Sequence, residues 1–436
     1  MAASVSGRDL VLEALLMITR DGEYSHIVLK NILDTHQYLD KKERAFITRV
    51  VNGTLERMIE LDYIINQFSK VKVQKMKPVI RCILRSAVYQ MRYMDSVPDS
   101  AICNEAVKLA VKRGFSGLKG FVNGVLRTIS RKKQEIVMPD REDKESYLSV
   151  IYSLPKWLVG HWLKEYGEEA VEQMGTAFLQ AAPTTVRLNL NRMEKEDILK
   201  LLKEEEVTVS EVPGMPEALY LSGYDYLAGL PSFREGFYQV QDQSSMQVAK
   251  LADPQPGDYV IDVCAAPGGK AIHMAELLKG SGHVEARDLT EYKTQKIWEN
   301  VERSGLSNIS VVCQDALLKT EASIEKADIL IADLPCSGLG VLGRKPDLKY
   351  RVTKEDLTEL QNLQRSILQV VKDYVKPGGR LLYSTCTINR GENEENAGWF
   401  AENFKEYHLV SQRQMMPGRD GGDGFYIAVF QKENHE

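Results

Sequence analysis

The stretch Val260-Ile261-Asp262-Val263-Cys264-Ala265-Ala266-Pro267-Gly268-Gly269-Lys270, followed by Ala271 to Leu278, constrains this chain more than any other. The run Tyr259 to Val263 is short, apolar and β-branched, and Pro256-Gly257-Asp258 and Pro267-Gly268-Gly269 bound it. That pattern predicts a buried strand of a parallel sheet rather than a helix. Two glycines at the turn let the backbone approach a ligand, and the helix beyond offers unpaired N–H groups and a positive dipole end to an anion. In open α/β sheets such sites lie at the carboxyl ends of the strands. The stretch is neither GxGxxG nor a P-loop, because Cys264 stands where a P-loop has its first glycine and Ala271 where it has Ser or Thr. Taken alone, it also fits a tight strand-to-helix turn with no ligand.

The chain beyond the turn narrows the choice. From Gly236 on, strands and helices alternate as in a doubly wound sheet, with strands expected at Tyr259 to Val263, His283 to Ala286, Ile309 to Val312, Asp328 to Ala332, Arg380 to Tyr383 and Tyr426 to Val429. Asp288, Asp315 and Asp333 follow successive strands, so all three face one crevice. There carboxylates can accept from ribose hydroxyls or an exocyclic amine, which points to an adenosyl cofactor. Two cysteines stand at strand ends of the same crevice, Cys336 in Asp333-Leu334-Pro335-Cys336-Ser337-Gly338 and Cys386 in Ser384-Thr385-Cys386-Thr387. A single cysteine usually just packs, which suits Cys82, Cys103 and Cys313. A thiolate at a strand end can instead act as a nucleophile.

The first third of the chain differs in texture and charge. Residues 1–140 carry 23 Lys and Arg against 15 Asp and Glu, a net of +8, while the rest of the chain carries −13. A polyanion is the natural partner of the basic part, although a solvated basic helix surface reads the same way. From Gly7 to Arg131 the periodicity is helical throughout. Asp40 with Glu43 three residues on resembles a capping box, and Pro78 opens another helix. Arg81, Arg85 and Arg92 share one helix face. A charged linker, Pro139 to Glu145, leads to short helices around Pro155-Lys156-Trp157 and Glu168 to Leu179. A small α+β stretch comes next, with strands at Thr185 to Asn189, Val207 to Val209 and Ala218 to Leu221 and a helix over Lys195 to Glu204. The domains expected are residues 1–139, helical; 140–235, an α+β adaptor with little chemistry of its own; and 236–436, α/β.

No apolar run approaches a membrane span, and the N-terminus lacks the apolar centre of a signal peptide, so a cytoplasmic protein is expected. The six cysteines form no CxxC pair or metal-ligand spacing, so thiols are expected, with neither disulfides nor a bound metal.

Together these motifs match a known family. Cys264 to Lys270, Asp333 to Gly338 and Ser384 to Thr387 resemble the signatures of the S-adenosylmethionine-dependent RNA cytosine-5 methyltransferases. So do Gln241-Asp242-Gln243-Ser244-Ser245, Arg344-Lys345-Pro346-Asp347, Glu392-Asn393-Glu394 and Asp423-Gly424-Phe425. The leading helices resemble the NusB-type RNA-binding bundle, in Glu43-Arg44, Asn52-Gly53 and Phe121 to Arg127. The combination is similar to bacterial enzymes that act on small-subunit (16S) rRNA. Leu334, where the family often has Ala, is a small departure.

The resemblance implies a Rossmann-like class I methyltransferase domain, preceded by an all-α NusB-like bundle and the small α+β adaptor. It implies S-adenosylmethionine as cofactor. Cys264, Ala265, Ala266, Pro267, Gly268, Gly269 and Lys270 would hold its methionine end, Asp288 its ribose and Asp315 its adenine, with Asp333 beside them. It makes Cys386 the nucleophile toward carbon 6 of cytosine, Cys336 the helper in removing the carbon 5 proton, and Asp333 the partner of the base edge. The expected partner is 16S rRNA at a single-stranded or loop target, met by a monomer. Three alternatives remain: the same reaction on tRNA or another RNA, a DNA cytosine-5 methyltransferase using Cys336, and a non-catalytic NusB-type RNA-binding factor.

Overall fold

A computed structural model describes residues 6–434, which divide into two compact units: residues 6–180 with 342–351, and residues 181–341 with 352–434. The first unit is helical. Helices Gly7–Thr19, Ser25–Thr35, Lys41–Glu56, Met58–Phe68, Pro78–Tyr93, Asp99–Lys112 and Lys119–Arg131 enclose one apolar core, and Lys144–Ile151, Lys156–Tyr166 and Glu168–Phe178 extend the unit. Asp40 caps its helix as expected, its carboxylate accepting from Glu43 N at 2.8 Å. Pro78–Tyr93 is buried over most of its length. Its arginine row is therefore not a free basic face. Arg85 is buried and gripped by both oxygens of Asp62 at 2.6 and 2.5 Å, and Arg92 pairs with Glu60 at 3.2 Å. Gly53 faces the Tyr89 ring, where an added Cβ would lie 2.0 Å from Cζ.

The second segment of this unit, Leu342–Arg351, completes helix ends that the first segment leaves open. Asp347 accepts from Ser25 N at 3.3 Å and from its hydroxyl, at the positive end of Ser25–Thr35. At the other polarity, Lys349 Nζ donates to Glu56 O and Tyr350 OH to Leu55 O, both at 2.7 Å, at the carbonyl end of Lys41–Glu56. Arg351 donates to Gly22 O at 2.6 Å and to Glu23 O. Charge signs thus match helix polarity at each terminus.

The other unit holds two sheets. The smaller is antiparallel, in the order β2-β3-β1-β4, from β1 (Thr184–Leu188), β2 (Thr208–Val212), β3 (Met215–Ser222) and β4 (Tyr238–Val240). The larger has seven strands in the order β10-β11-β9-β8-β5-β6-β7. They are β5 (Tyr259–Asp262), β6 (His283–Asp288), β7 (Ile309–Cys313), β8 (Ala327–Asp333), β9 (Val375–Thr385), β10 (Tyr407–Met415) and β11 (Phe425–Lys432). Pairing is parallel from β7 to β9 and antiparallel at β11 and β10. Alternate residues of the central strands feed two apolar layers. Val260, Ile329 and Ile331 pack with Ala249, Ile272 and Ile297 on one face. Ile261, Leu330 and Ala332 pack with Leu368 and Phe400 on the other. This is the Rossmann-like arrangement expected, with helices on both faces. The chain runs outward from β5 to β7 and then crosses back to β8. The switch point therefore lies between the carboxyl ends of β5 and β8. Strand β10 is invisible to periodicity, because most of its residues are exposed on an edge.

Among the described residues no helix is long and apolar enough to cross a membrane, and no cluster of His, Cys, Asp or Glu could hold a metal.

Burial presses the Lys349 amine from 10.5 down to about 7, against the field of Glu56. A lysine whose folded pKa lies below its unfolded value costs stability below about 7, and the cost fades as pH rises toward 10.5. Denaturant unfolding at pH 7 and 9.5 should therefore show wild type gaining stability relative to Lys349→Met at the higher pH. Parallel behaviour of the two proteins would refute the depressed amine.

Candidate active site

The site is assembled from five strand ends, those of β5 to β9. After β5, the chain passes through the cis Ala266-Pro267 bond into a turn at Gly268, whose φ is +105°, and enters helix Gly269–Leu277. No side chain caps that helix, so its first N–H groups remain open to a ligand. Neighbouring strands brace the turn. Ala265 N donates to Arg287 O at 2.8 Å, and the buried Asp288, closing β6, accepts from Ala266 N at 3.0 Å and Leu289 N at 2.8 Å. Lys293 pairs with Asp288 at 2.9 Å. Asp315, in the loop after β7, accepts from Leu317 N at 2.9 Å.

The adaptor, read from sequence as carrying little chemistry, reaches this turn. Arg187 of β1 is 1% exposed and meets Glu276 with two bonds of 2.9 Å. Its remaining nitrogen donates to Gln241 and, at 3.2 Å, to Gly269 O. A guanidinium thus fixes both the helix and the glycine that opens it.

Lys270 points away from the open helix end, toward β8. Its Nζ lies 2.6 Å from Asp333 Oδ2 and 5.1 Å from the Phe425 ring centroid. Burial works against its charge, but Asp333, by its field and its hydrogen bond, outweighs it and raises its pKa. Ser384 Oγ donates to the other oxygen of Asp333 at 2.8 Å. Between these groups sits Asp262, fully buried, with neither carboxyl oxygen in a hydrogen bond of ordinary geometry. Burial, then the Asp333 charge, lifts it to about 8, so it is a neutral acid at pH 7. Sequence reading passed over Asp262 as part of an apolar strand. A carboxyl closing a fully buried run was the available signal.

Cys336 and Cys386 meet here, their sulfurs 3.2 Å apart at the ends of β8 and β9. Each is partly exposed, while Ser337, Thr385 and Thr387 beside them are buried. Contact with Cys386, then burial, then the charges around it push the Cys336 thiol well above its ordinary range. Cys264 stands apart on the turn, its thiol also raised, by burial and then by Asp288 and Asp262. Cys82 and Cys103 are buried in the helical unit and Cys313 is exposed; all six cysteines are thiols.

The chain matches known proteins over its whole length. Residues 249–431 match the 16S rRNA methyltransferase RsmB/F family, residues 6–131 the NusB family, and residues 154–224 the RsmF/B-like ferredoxin-like domain. It is 36% identical to the probable ribosomal RNA small subunit methyltransferase B of Bacillus subtilis (strain 168), over 98% of this chain and 99% of that protein. It is 29% identical to the ribosomal RNA small subunit methyltransferase B of Proteus mirabilis (strain HI4320), over 99% and 100%. Among solved structures it is similar to that of PH0851, with a TM-score of 0.84 and 26% identity over 99% of this chain and 100% of that one. A methyltransferase homologue from Pyrococcus horikoshii gives a TM-score of 0.59 at 26% identity, over 66% of this chain and 99% of that one.

S-adenosylmethionine is the cofactor of such a domain, and the groups present fit it. An uncapped helix start suits its carboxylate, and strand-end carboxylates its hydroxyls. A carboxyl raised to about 8 keeps its proton in the folded state after the unfolded chain has lost it, so it lowers stability as pH rises from about 4 to about 8. Thermal unfolding without cofactor should show Asp262→Asn gaining on wild type across that range, and an unchanged difference would remove the buried neutral acid. With the fold, the turn and the full-length relatives in agreement, the chain belongs to the RsmB/F family of S-adenosylmethionine-dependent rRNA methyltransferases.

Proposed function

We propose that this enzyme methylates carbon 5 of a specific cytidine in 16S rRNA through a covalent bond between Cys386 and carbon 6. The observation that carries the reading is the pair of thiols in contact at adjacent strand ends, beside Lys270 and Asp333. Carbon 5 of cytosine is a weak nucleophile. When the Cys386 thiolate adds to carbon 6, the C5=C6 π pair becomes available at carbon 5. The bound cofactor supplies an electrophilic methyl group on its sulfonium. Afterwards the carbon 5 proton must leave. Its bonding pair restores C5=C6, and the C6–S bond breaks to return the Cys386 thiolate. Cys336, its sulfur in contact with that of Cys386, assists that proton removal. Asp333, fixed by Lys270 and Ser384, accepts from the amino edge of the base and stabilises the adduct.

On the cofactor side, residues Cys264 to Lys270 hold the methionine end, Asp288 the ribose and Asp315 the adenine. Lys270 also serves the base side through Asp333. The target base must leave its stack to reach the thiols, which suits a loop or single-stranded RNA. Residues 1–139 and 140–235 engage the RNA, and the enzyme acts as a monomer in the cytoplasm.

Cys386→Ala should abolish methyl transfer while cofactor affinity, read by calorimetry, stays within about threefold, since uniform cofactor binding does not need the nucleophile. Cys336→Ala should instead leave an RNA adduct that survives denaturing electrophoresis. Adduct loss in Cys336→Ala with transfer retained by Cys386→Ala would reverse the two roles. Bisulfite mapping of RNA from cells with and without the gene should show one 5-methylcytosine lost from 16S rRNA. Loss from tRNA alone would overturn the substrate.

A further inference from the structure

Beneath the two thiols lies a buried polar cluster that the reaction itself does not call on, and Glu392 is its centre. The residue is 0% exposed. Its Oε2 accepts from Ser337 N at 2.9 Å and Gln364 Nε2 at 3.0 Å. Its Oε1 accepts from Ser337 Oγ at 2.5 Å and Asn389 Nδ2 at 2.9 Å. Ser337 directly follows Cys336, so both its backbone and its hydroxyl are held by one carboxylate. The same hydroxyl meets Thr387 Oγ1 at 2.6 Å, and Thr387 directly follows Cys386. Gln364 also donates to Pro335 O at 2.9 Å, on the other side of Cys336. Tyr383, in β9, donates to Gln364 Oε1 at 3.0 Å and to the Glu392 carbonyl. Both loops, three residues past β8 and one past β9, therefore close on a single buried carboxylate.

We infer that Glu392 is a positioning residue for methyl transfer, a clamp that holds the Cys336 loop against the Cys386 strand end and keeps the two sulfurs in contact. A buried carboxylate is costly unless its oxygens are satisfied, and four donors satisfy this one. Such an arrangement tolerates no free rotation of either loop. Glu392 touches neither thiol by hydrogen bond; it acts through Ser337.

The inference rests on the proposed two-thiol reaction, so it is tested by two independent readouts on the full-length enzyme. The variant is Glu392→Gln, which keeps the shape but turns an amino group toward two of the four donors; Ser337→Ala removes the hydroxyl from the other side. Dibromobimane, which becomes fluorescent on bridging two nearby thiols, reports sulfur proximity without RNA or cofactor, with the bridged Cys336 and Cys386 peptides identified by mass spectrometry. Glu392→Gln should slow bridging and lower kcat on the order of 100-fold with KM for RNA little changed, as expected for misplacement by about an ångström. The covalent RNA adduct should accumulate, because its resolution depends on Cys336. Effects of Glu392→Gln and Ser337→Ala should be strongly non-additive if both act through one contact. Wild-type bridging and wild-type kcat in folded Glu392→Gln would overturn the clamp, as would additive effects of the two substitutions. A Cys336→Ala enzyme that forms no RNA adduct, while bridging in the enzyme with both thiols still depends on Glu392, would overturn the covalent reaction and leave the clamp standing.

Discussion

The pairing of β8 with β9 is the constraint on which the site depends. Their parallel register sets Asp333 opposite Ser384, and Leu334 N continues the ladder to Ser384 O at 3.1 Å. From that shared end the two chains diverge by two and three residues to Cys386 and Cys336. Side chains that leave adjacent parallel strands at the same level meet over the sheet edge, as these sulfurs do. The return bond from Gly340 N to Cys386 O, at 3.1 Å, closes the Cys336 loop back onto the same strand. Gly340 in turn packs against Gly424 so tightly that a Cβ would lie 1.9 Å from its carbonyl. Backbone contact, which no side chain can replace, therefore explains why glycines recur there.

Charge is distributed over this frame so that each buried group answers another. Lys270 keeps its charge inside the protein because Asp333 lies close. Asp262 loses its own because burial, and then the Asp333 charge, favour its neutral form. Glycine turn, lysine and strand-end carboxylate thus form one electrostatic unit across the switch point. Arg187 extends that unit into the small sheet, through Glu276 and the Gly269 carbonyl.

The helical unit obeys a different rule. Its helices leave carbonyl and N–H groups exposed at their ends, and residues 342–351 supply Asp347, Lys349 and Tyr350 to them. That segment comes from far along the chain, a few residues after Cys336. Helix polarity decides which charge goes where.

Much of this was legible in the chain. Short apolar runs between Gly, Pro and Asp marked β5 to β9, because a buried parallel strand needs continuous apolar sequence. Ordered aspartates and the two cysteines at strand ends marked the crevice, since strand ends are fixed by local sequence. The ion pair that removes Arg85 from any RNA-facing row was not legible, because Asp62 lies on another helix. Nor were Asp262 as an orphan acid, the reach of Arg187 or the four donors of Glu392, whose motif was visible without its role. Element type, strand order along the chain and the residues at each strand end could be read from the chain, because all of them depend on neighbours a few positions apart. Which of those residues touch and which keep their charge emerged with the fold, because burial and pairing are set by groups tens or hundreds of residues away.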